Sequence, residues 1–274
     1  MLNLFLIFLL SHLLMDFVLQ TELLVKRKIS KDKKESHSAL LIHSSVFFII
    51  SIIIYVSFNG ILKLCILFWI FALTVSHHII DMLKAKVIEY RRNKESNGDV
   101  SHENNLMIFL LDQLLHIILI IIVTLTYFGK LHIVLNVFPL RDFFKEITLL
   151  INQYTFSESE KVLMTLCLLI IATTFSNVFI KESLSSIKLK LLQDEEEIKI
   201  GRYIGSIERL LTIAAVIAGA YQALVALYAS KTAIRFNQVK NNPEFGEYYI
   251  LGTSISAVFG ILTGVLLKII WTTL

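Results

Sequence analysis

The chain is poor in the residues that interrupt regular structure and in the charge that coats a soluble protein. Its 274 residues include two prolines, two cysteines and only 18% charged residues. So little charge is atypical of the surface of a soluble globular protein. Cys65 and Cys167 both fall within apolar runs, so the sequence shows no disulfide framework. The formal charge of +4 needs no nucleic-acid partner, since basic loops facing anionic lipid account for it.

Long apolar runs are what the chain has in place of charge. Hydrophobic residues make up 55% of it, and the mean hydropathy is +0.71. A helix needs about 20 apolar residues to cross a bilayer. The first run lacks a basic start and a small-residue cleavage site, so it is expected to remain as a span. We predict an all-α, polytopic transmembrane helix bundle with seven spans, at about 3–24, 38–58, 61–83, 106–128, 161–181, 206–230 and 248–272.

Basic residues indicate how these spans are oriented. Lysine and arginine gather in alternate loops, above all at 26–34 and 84–94. By the positive-inside rule these loops are cytoplasmic, which places the N-terminus outside and the C-terminus in the cytoplasm. Two mixed apolar and charged stretches are predicted to be interfacial amphipathic or solvated helices. The predicted parts are a four-span bundle at 1–130, an extracytoplasmic helix and loop at 131–160, and a three-span part at 161–274 with a cytoplasmic helix at 182–205.

Histidine and aspartate interrupt the predicted spans at a regular spacing. His12–Asp16, His77–Asp81 and Asp112–His116 are each four residues apart, which places both members on one helix face. Ionisable residues within a bilayer are costly and are functional by default. With the N-terminus outside, all of them lie at a similar depth toward the inner leaflet. The candidate metal ligands are His12, Asp16, His43, His77, His78, Asp81, Asp112 and His116.

Imidazole and carboxylate groups together favour a divalent metal, with zinc first and manganese or iron as alternatives. The competing interpretation is that the same residues hydrogen-bond between helices without a metal. Gln20, Gln113 and Lys84 are candidate contacts to a substrate headgroup, or else helix–helix contacts and snorkelling. Farther along, Glu208 and Arg209 are expected to form a structural ion pair.

Several motifs together carry a resemblance to a known family. They are "HLLMDFVLQ", "LLIH", "HHIIDMLK" and "LLDQLLHI", followed by "IGSIERLL", "ASKTAIRF" and "EYYILGTSIS". In this combination the chain resembles the domain-of-unknown-function 3307 family of bacterial membrane proteins over nearly its whole length. The resemblance implies a multi-pass protein of the bacterial cytoplasmic (inner) membrane, and it implies no chemistry because the family is uncharacterised.

The HxxxD pairs are also similar to those of membrane-bound metal-dependent hydrolases and of the helical zinc phospholipase C and nuclease superfamily. That looser resemblance implies that the histidines and aspartates named above are metal ligands, with either His77 or His78 in the set. The superfamily's N-terminal tryptophan ligand is missing, because this chain begins Met-Leu-Asn. One or two metal ions are therefore expected, not three.

Three functions remain open on the sequence. The first is a metal-dependent hydrolase that acts on a lipid phosphoester or pyrophosphate at the inner leaflet, with membrane lipids as its surroundings. Whichever of Asp16, Asp81 and Asp112 is left unligated would serve as general base. The second is an ion- or proton-coupled transporter that uses the same cluster. The third is a regulatory membrane protein with a structural metal, and all three allow a homo-oligomer.

Overall fold

The structure, a computed structural model, describes residues 1–95, 105–129, 155–184 and 195–272. Within these ranges the chain is helical and contains no strand, as the sequence predicted. A π-helical segment, Leu14–Leu19, continues α1, and a second one, Ile171–Phe175, joins α6 to α7. The helices are α1 (Leu2–Leu13), α2 (Glu22–Lys28), α3 (Lys33–Asn59), α4 (Leu64–Glu95), α5 (Asn105–Tyr127), α6 (Glu158–Ile170), α7 (Ser176–Ser183), α8 (Glu195–Ile217), α9 (Tyr221–Asn241) and α10 (Pro243–Thr272).

Local signals set the ends of these helices. Asp32 caps α3 by accepting a hydrogen bond from the backbone N–H of Lys34 at 2.9 Å. The same helix ends at Gly60, whose φ of +78° suits a residue without a Cβ. Thr21 caps α2 in the same way, through the N–H of Leu24 at 3.2 Å. The basic loop between α1 and α3 therefore contains a short helix of its own.

Six stretches of the described chain are long and apolar enough to cross a membrane, which is compatible with a multi-pass membrane protein. The six stretches are Leu2–Leu19, Lys33–Asn59, Leu64–Asn93, Leu106–Tyr127, Glu158–Ser183 and Pro243–Thr272.

The sixth predicted span, 206–230, is not one helix. Helix α8 ends at Ile217, and α9 begins at Tyr221 after a turn in which Gly219 has a φ of +69°. Residues 213–220, which lead into this turn, are all apolar or glycine, so hydropathy alone did not reveal it. The first span is likewise shorter than predicted, because Gln20 is extended and breaks the stretch 3–24 after Leu19.

Two further predictions fall largely outside the described residues. The interfacial helix and loop at 131–160 is described only from residue 155, and α6 begins at Glu158. The cytoplasmic helix at 182–205 is described only at its two ends, where α7 finishes and α8 starts.

Contacts divide the chain into two compact units, residues Met1–Ser101 with Ile108–Met164 and residues Thr165–Leu274 with His102–Met107. In the first unit α1, α2 and α4 all pack against α3. Its core is apolar and fully buried around Ile7, Phe8, Phe47, Ile66 and Ile70. This packing brings the polar positions of α1, α3 and α4 to one level of the bundle.

In the second unit α8 and α10 lie against each other at close range. A Cβ on Gly260 would come within 2.9 Å of Thr212, and one on Gly264 within 2.8 Å of Val216. Small residues four apart let two apolar helices approach this closely. Ala172, Ile213 and Leu267 form the buried cluster that joins these helices to the π-helical segment 171–175.

A candidate metal centre

Four helical elements of the first unit bring histidine and aspartate side chains into one buried cluster. Its four histidines are at most 2% exposed, and the Asp16 side chain is 7% exposed. Asp16 lies within the π-helical segment that continues α1. Such segments are rare in proteins, and those that occur are often found at functional sites. The metal cluster consists of His12 on α1, Asp16, His43 on α3, His77 and Asp81 on α4, and Asp112 and His116 on α5.

At the centre of the metal cluster four ligand-type atoms surround one small volume. The Nε2 atoms of His43 and His77 are 3.0 Å apart. Asp16 Oδ1 is 3.1 Å from the first and 3.8 Å from the second, and Asp81 Oδ2 is 3.2 Å and 3.8 Å from them. Ligand atoms about 2.0–2.1 Å from one zinc ion lie roughly 3.3 Å from each other in a tetrahedron. The spacing therefore fits a shared cation as well as it fits a hydrogen-bonded network.

The hydrogen bonds of Gln113 define the protonation of His12. The amide nitrogen of Gln113 lies 3.0 Å from Asp112 Oδ2 and 3.5 Å from Asp16 Oδ2, both of which can only accept. Its amide oxygen is therefore the atom that faces His12 Nε2 at 3.2 Å, and that nitrogen must carry the proton. The lone pair of His12 then resides on Nδ1, which is buried without a hydrogen bond and lies 3.8 Å from Asp16 Oδ2.

His116 shows the same arrangement with the ring reversed. Its Nδ1 donates to the backbone oxygen of Asp112 at 2.8 Å, which leaves the lone pair on Nε2. That Nε2 is buried and makes no hydrogen bond with the described residues. A histidine that donates one N–H to an oxygen and keeps its other nitrogen free is the usual state of a metal ligand.

The charges of the metal cluster do not balance among the described residues. Lys28 Nζ lies 2.7 Å from Asp81, and Lys84 Nζ lies 2.6 Å from Asp112. Asp16 has no such lysine or arginine partner in this part of the chain and faces only histidines and Gln113. With neutral histidines one buried carboxylate is uncompensated, which is unfavourable unless a cation or a proton joins it.

Not every predicted site residue joins this centre. His78 points elsewhere, because its Nδ1 is 2.8 Å from Ser44 Oγ and its ring is near that of His37. Asp112 is held by Lys84 and Gln113 and belongs to none of the three groups of candidate ligands, which are His12, Asp16 and His116, then Asp16, His43 and His77, then His77, Asp81 and His116.

The three residues predicted to contact a substrate headgroup, or else to make helix–helix contacts or to snorkel, have partners within the described chain. Gln20 Oε1 accepts from Lys28 Nζ at 2.8 Å, while Gln113 and Lys84 hold the aspartates as described. Lys28 is a cluster residue that the sequence did not single out. It is only 8% exposed although it lies in a basic loop, and its partner is 53 residues away. Local spacing carries no signal for such a contact.

A cavity of about 230 Å³ opens beside Lys28, between the start of α3 and α4. Lys33 and Lys86 are exposed on its lining, and neither has a partner among the described residues. Ser30 and Ser36 hydrogen-bond within the same wall, to Glu35 and to the backbone oxygen of Lys28. The cavity also touches His37 and one carboxylate, Glu89, so its lining is mainly but not wholly basic.

The second unit contains a different buried polar cluster, centred on Arg209. This side chain is 1% exposed, and all three of its nitrogens donate hydrogen bonds. Several of the acceptors belong to the π-helical segment 171–175 or to the helix that follows it. The acceptors are the backbone oxygens of Ala172 and Thr173 and the side-chain oxygens of Asn177, Ser206 and Ser256.

The expected ion pair between Glu208 and Arg209 is replaced by another one. Glu208 pairs with Lys231 of α9, while Arg209 turns to neutral oxygen acceptors. Consecutive residues of a helix point about 100° apart, so the two side chains reach different neighbours.

One family model, described as "Protein of unknown function (DUF3307)", matches residues 4–144. That range is half of the chain and contains every residue of the metal cluster. No curated protein and no solved structure matches the chain.

Proposed function

The chain belongs to the DUF3307 family, whose function is unknown, and we propose that it is a membrane-embedded, divalent-metal-dependent hydrolase of lipid phosphoesters or pyrophosphates. The observation that carries this proposal is the uncompensated carboxylate of Asp16 beside buried histidine nitrogens that have no hydrogen bond. Buried polar groups are normally paired, so four helices that leave several unpaired at one point favour a ligand there.

The donor set fits a divalent metal. Imidazole nitrogens and carboxylate oxygens suit zinc, and they also accept manganese or iron. Gln113 and the backbone oxygen of Asp112 orient His12 and His116 as supporting groups orient metal ligands. Asp112 is a positioning residue in this proposal, since its carboxylate holds Lys84 and Gln113.

The cavity beside Lys28 supports an anionic lipid headgroup as the substrate. Exposed Lys33 and Lys86 supply positive charge at its lining, and Lys28 connects the cavity to Asp81. Lysines on the cytoplasmic side, next to an anionic leaflet, attract the phosphate of a lipid headgroup. We place these loops in the cytoplasm by the positive-inside rule, with the N-terminus outside, in the inner membrane of a bacterium. If 206–230 does not cross, six crossings put the C-terminus outside as well.

The proposed reaction is hydrolysis at phosphorus. The cluster histidines and Asp16 would hold a metal that makes a water molecule a stronger nucleophile near neutral pH and polarises the phosphoryl oxygen. The water oxygen bonds to phosphorus, and the bond from phosphorus to the leaving oxygen breaks. Asp81 accepts the proton of the water and passes it to the leaving oxygen. Lys28 holds the Asp81 carboxylate in place through their contact at 2.7 Å.

A transporter is the second candidate, and one observation favours it. Both units contain an apolar helix interrupted by a π-helical segment, at 14–19 and at 171–175. Interrupted helices in both halves of a chain are a feature of carriers. In the second unit, however, Arg209 occupies the backbone oxygens of Ala172 and Thr173, so they are not open to a transported ion.

The test is phosphate release from defined lipids by the detergent-purified, zinc-loaded chain. Anionic phospholipids and isoprenoid phosphates are the substrates, and we expect turnover by the parent chain. Asp81→Asn should lose turnover at least 100-fold, because a positioned base contributes 10²–10⁴-fold. His77→Ala should also lose activity. His78→Ala, at the adjacent position, is the matched control and should keep it. Turnover that survives His77→Ala contradicts the assigned site. Ion flux into vesicles that contain the purified chain, without phosphate release, favours the transporter.

A further inference from the structure

We propose that the metal cluster is a two-metal site in which Asp16 bridges the cations, one held with His43 and His77 and the other with His12 and His116. This inference rests on the proposed function, because it adds a second cation to the same centre. It also narrows the substrate to a phosphate group that can bind both cations at once.

The two oxygens of Asp16 face different pairs of histidines. Oδ1 lies 3.1 Å from His43 Nε2 and 3.8 Å from His77 Nε2. Oδ2 lies 3.8 Å from His12 Nδ1 on the other side. Oδ1 makes no well-aligned hydrogen bond, and Oδ2 has only a long one, 3.5 Å from Gln113 Nε2. A carboxylate whose two oxygens point into separate imidazole pairs has the arrangement of a bridging ligand.

The four rings are in mutual contact, and the closest centroids, 4.3 Å apart, are those of His77 and His116. The division into two pairs therefore rests on which histidines face each oxygen of Asp16. His43 and His77 are stacked with centroids 5.2 Å apart, and Phe47 stacks on His77 at 4.7 Å. His12 and His116 are stacked at 4.8 Å. Two of the three groups of candidate ligands share only Asp16, and they are His12 with His116 and His43 with His77. One carboxylate with two separate histidine pairs is enough for two cations.

The second pair has the stronger need for a ligand. His12 Nδ1 and His116 Nε2 are both buried lone pairs without a hydrogen bond, on residues at most 2% exposed. Their other ring nitrogens are held by Gln113 and by the backbone oxygen of Asp112. A single cation between His43 and His77 would leave both lone pairs unsatisfied, at a desolvation cost that native structures avoid.

Charge indicates what else binds. The described cluster contains three carboxylates and two lysines, so two divalent cations leave it strongly positive. A phosphate group with two negative oxygens compensates this excess. Paired cations about 3.5–4 Å apart stabilise both the attacking and the leaving oxygen of an in-line displacement at phosphorus. A terminal phosphate or pyrophosphate therefore fits better than a phosphodiester, which has less charge to offer.

Metal stoichiometry tests this inference independently of catalysis. Zinc per folded chain is measured by elemental analysis after detergent purification and removal of loosely bound metal. We expect two ions in the parent chain, and one in His116→Ala and in His12→Ala. The control His78→Ala should keep two. One ion in the parent, or two in His116→Ala, overturns the second site and leaves the proposed function standing. No ion in the parent overturns both.

A measurement on the parent chain covers the case in which a variant fails to fold. Manganese-loaded protein is examined by electron paramagnetic resonance. Two manganese ions that share a carboxylate are expected to give an exchange-coupled spectrum. A spectrum of isolated manganese ions only, at full loading, contradicts a bridge through Asp16.

Discussion

The two compact units each bury a polar cluster beside a π-helical segment. The two clusters differ in how many of their buried polar atoms are hydrogen-bonded. In the second unit Arg209 donates from all three nitrogens to five oxygen acceptors. In the first unit three buried atoms of the metal cluster, His12 Nδ1, Asp16 Oδ1 and His116 Nε2, have no hydrogen bond to any residue that the structure describes. Within the described ranges every side-chain nitrogen of Arg209 is hydrogen-bonded, whereas these three atoms of the metal cluster are not.

This difference separates a structural network from a binding one. Satisfied buried hydrogen bonds fix a unique packing, and their loss destabilises the fold. Buried polar atoms without a hydrogen bond cost stability unless a ligand binds them. Their presence in the fold therefore favours a role in binding. The comparison predicts that changes to the Arg209 cluster affect stability, and that changes to the metal cluster affect ligand binding.

The largest effect is expected from Arg209→Ala. Removing the guanidinium leaves several buried oxygens without donors, which should lower the free energy of unfolding by about 3 kcal/mol or more. Thermal unfolding of the detergent-purified chain measures this loss. Lys240→Ala, an exposed cation on α9, is the control and should change nothing. Metal content per folded chain should stay at the parent level, and an unfolding curve equal to the parent's contradicts a structural role.

Next in size is the response of stability to metal. Zinc that binds only the folded chain should stabilise it by about 2.7 kcal/mol at a free concentration 100 times the dissociation constant. His43→Ala should reduce this shift, because one ligand pair is lost. The Arg209→Ala variant should keep the full shift from its lower starting point. Equal shifts in His43→Ala and the parent would place the binding outside the metal cluster.

Gln113→Ala should have a smaller effect, on affinity alone. Gln113 orients His12 but donates no electron pair to the metal, so we expect zinc affinity to fall about 10–100-fold. Competition with a chelator of known affinity measures this change. Gln238→Ala, on exposed α9, is the matched amide control. Unchanged zinc affinity in Gln113→Ala would contradict the role of Gln113 in orienting His12.

The smallest effect is expected at the cavity lining. Replacing Lys33 and Lys86 by glutamine should each weaken attraction for an anionic headgroup by about 1 kcal/mol at low salt. The Michaelis constant for a lipid phosphate should then rise roughly fivefold per lysine, and the difference should shrink at high salt because exposed charges are screened. Lys63→Gln, which is not on the cavity lining, is the control. A change in turnover with no change in the Michaelis constant contradicts a binding role.

How much of this could be predicted from the sequence depends on the distance over which a contact acts. The class of fold and most of the apolar stretches follow from hydropathy, because a span is a local property. The i, i+4 pairs also follow, and His12–Asp16, His77–Asp81 and Asp112–His116 each have facing atoms 3.7–3.8 Å apart. The break at Gly219 did not follow, because its backbone angle is not encoded in hydropathy.

Contacts between distant segments were not predictable either. Adjacent histidines of one helix face different neighbours, and nothing in "HHIID" tells which of His77 and His78 turns toward Asp16. Lys28 reaches Asp81 across 53 positions, and Lys84 pairs with Asp112 on another helix. Long side chains choose partners through the packing of α3 against its neighbours, which a single sequence does not display.

The most direct test of a metal centre in the first unit is the zinc content of two single variants at adjacent positions. His77 lies in the metal cluster and His78 lies outside it, although both are histidines of the same helix. We expect His78→Ala to retain the zinc of the parent chain and His77→Ala to lose at least one ion per chain. Equal zinc content in the two variants, or a parent chain that binds no zinc, manganese or iron, would contradict this metal centre.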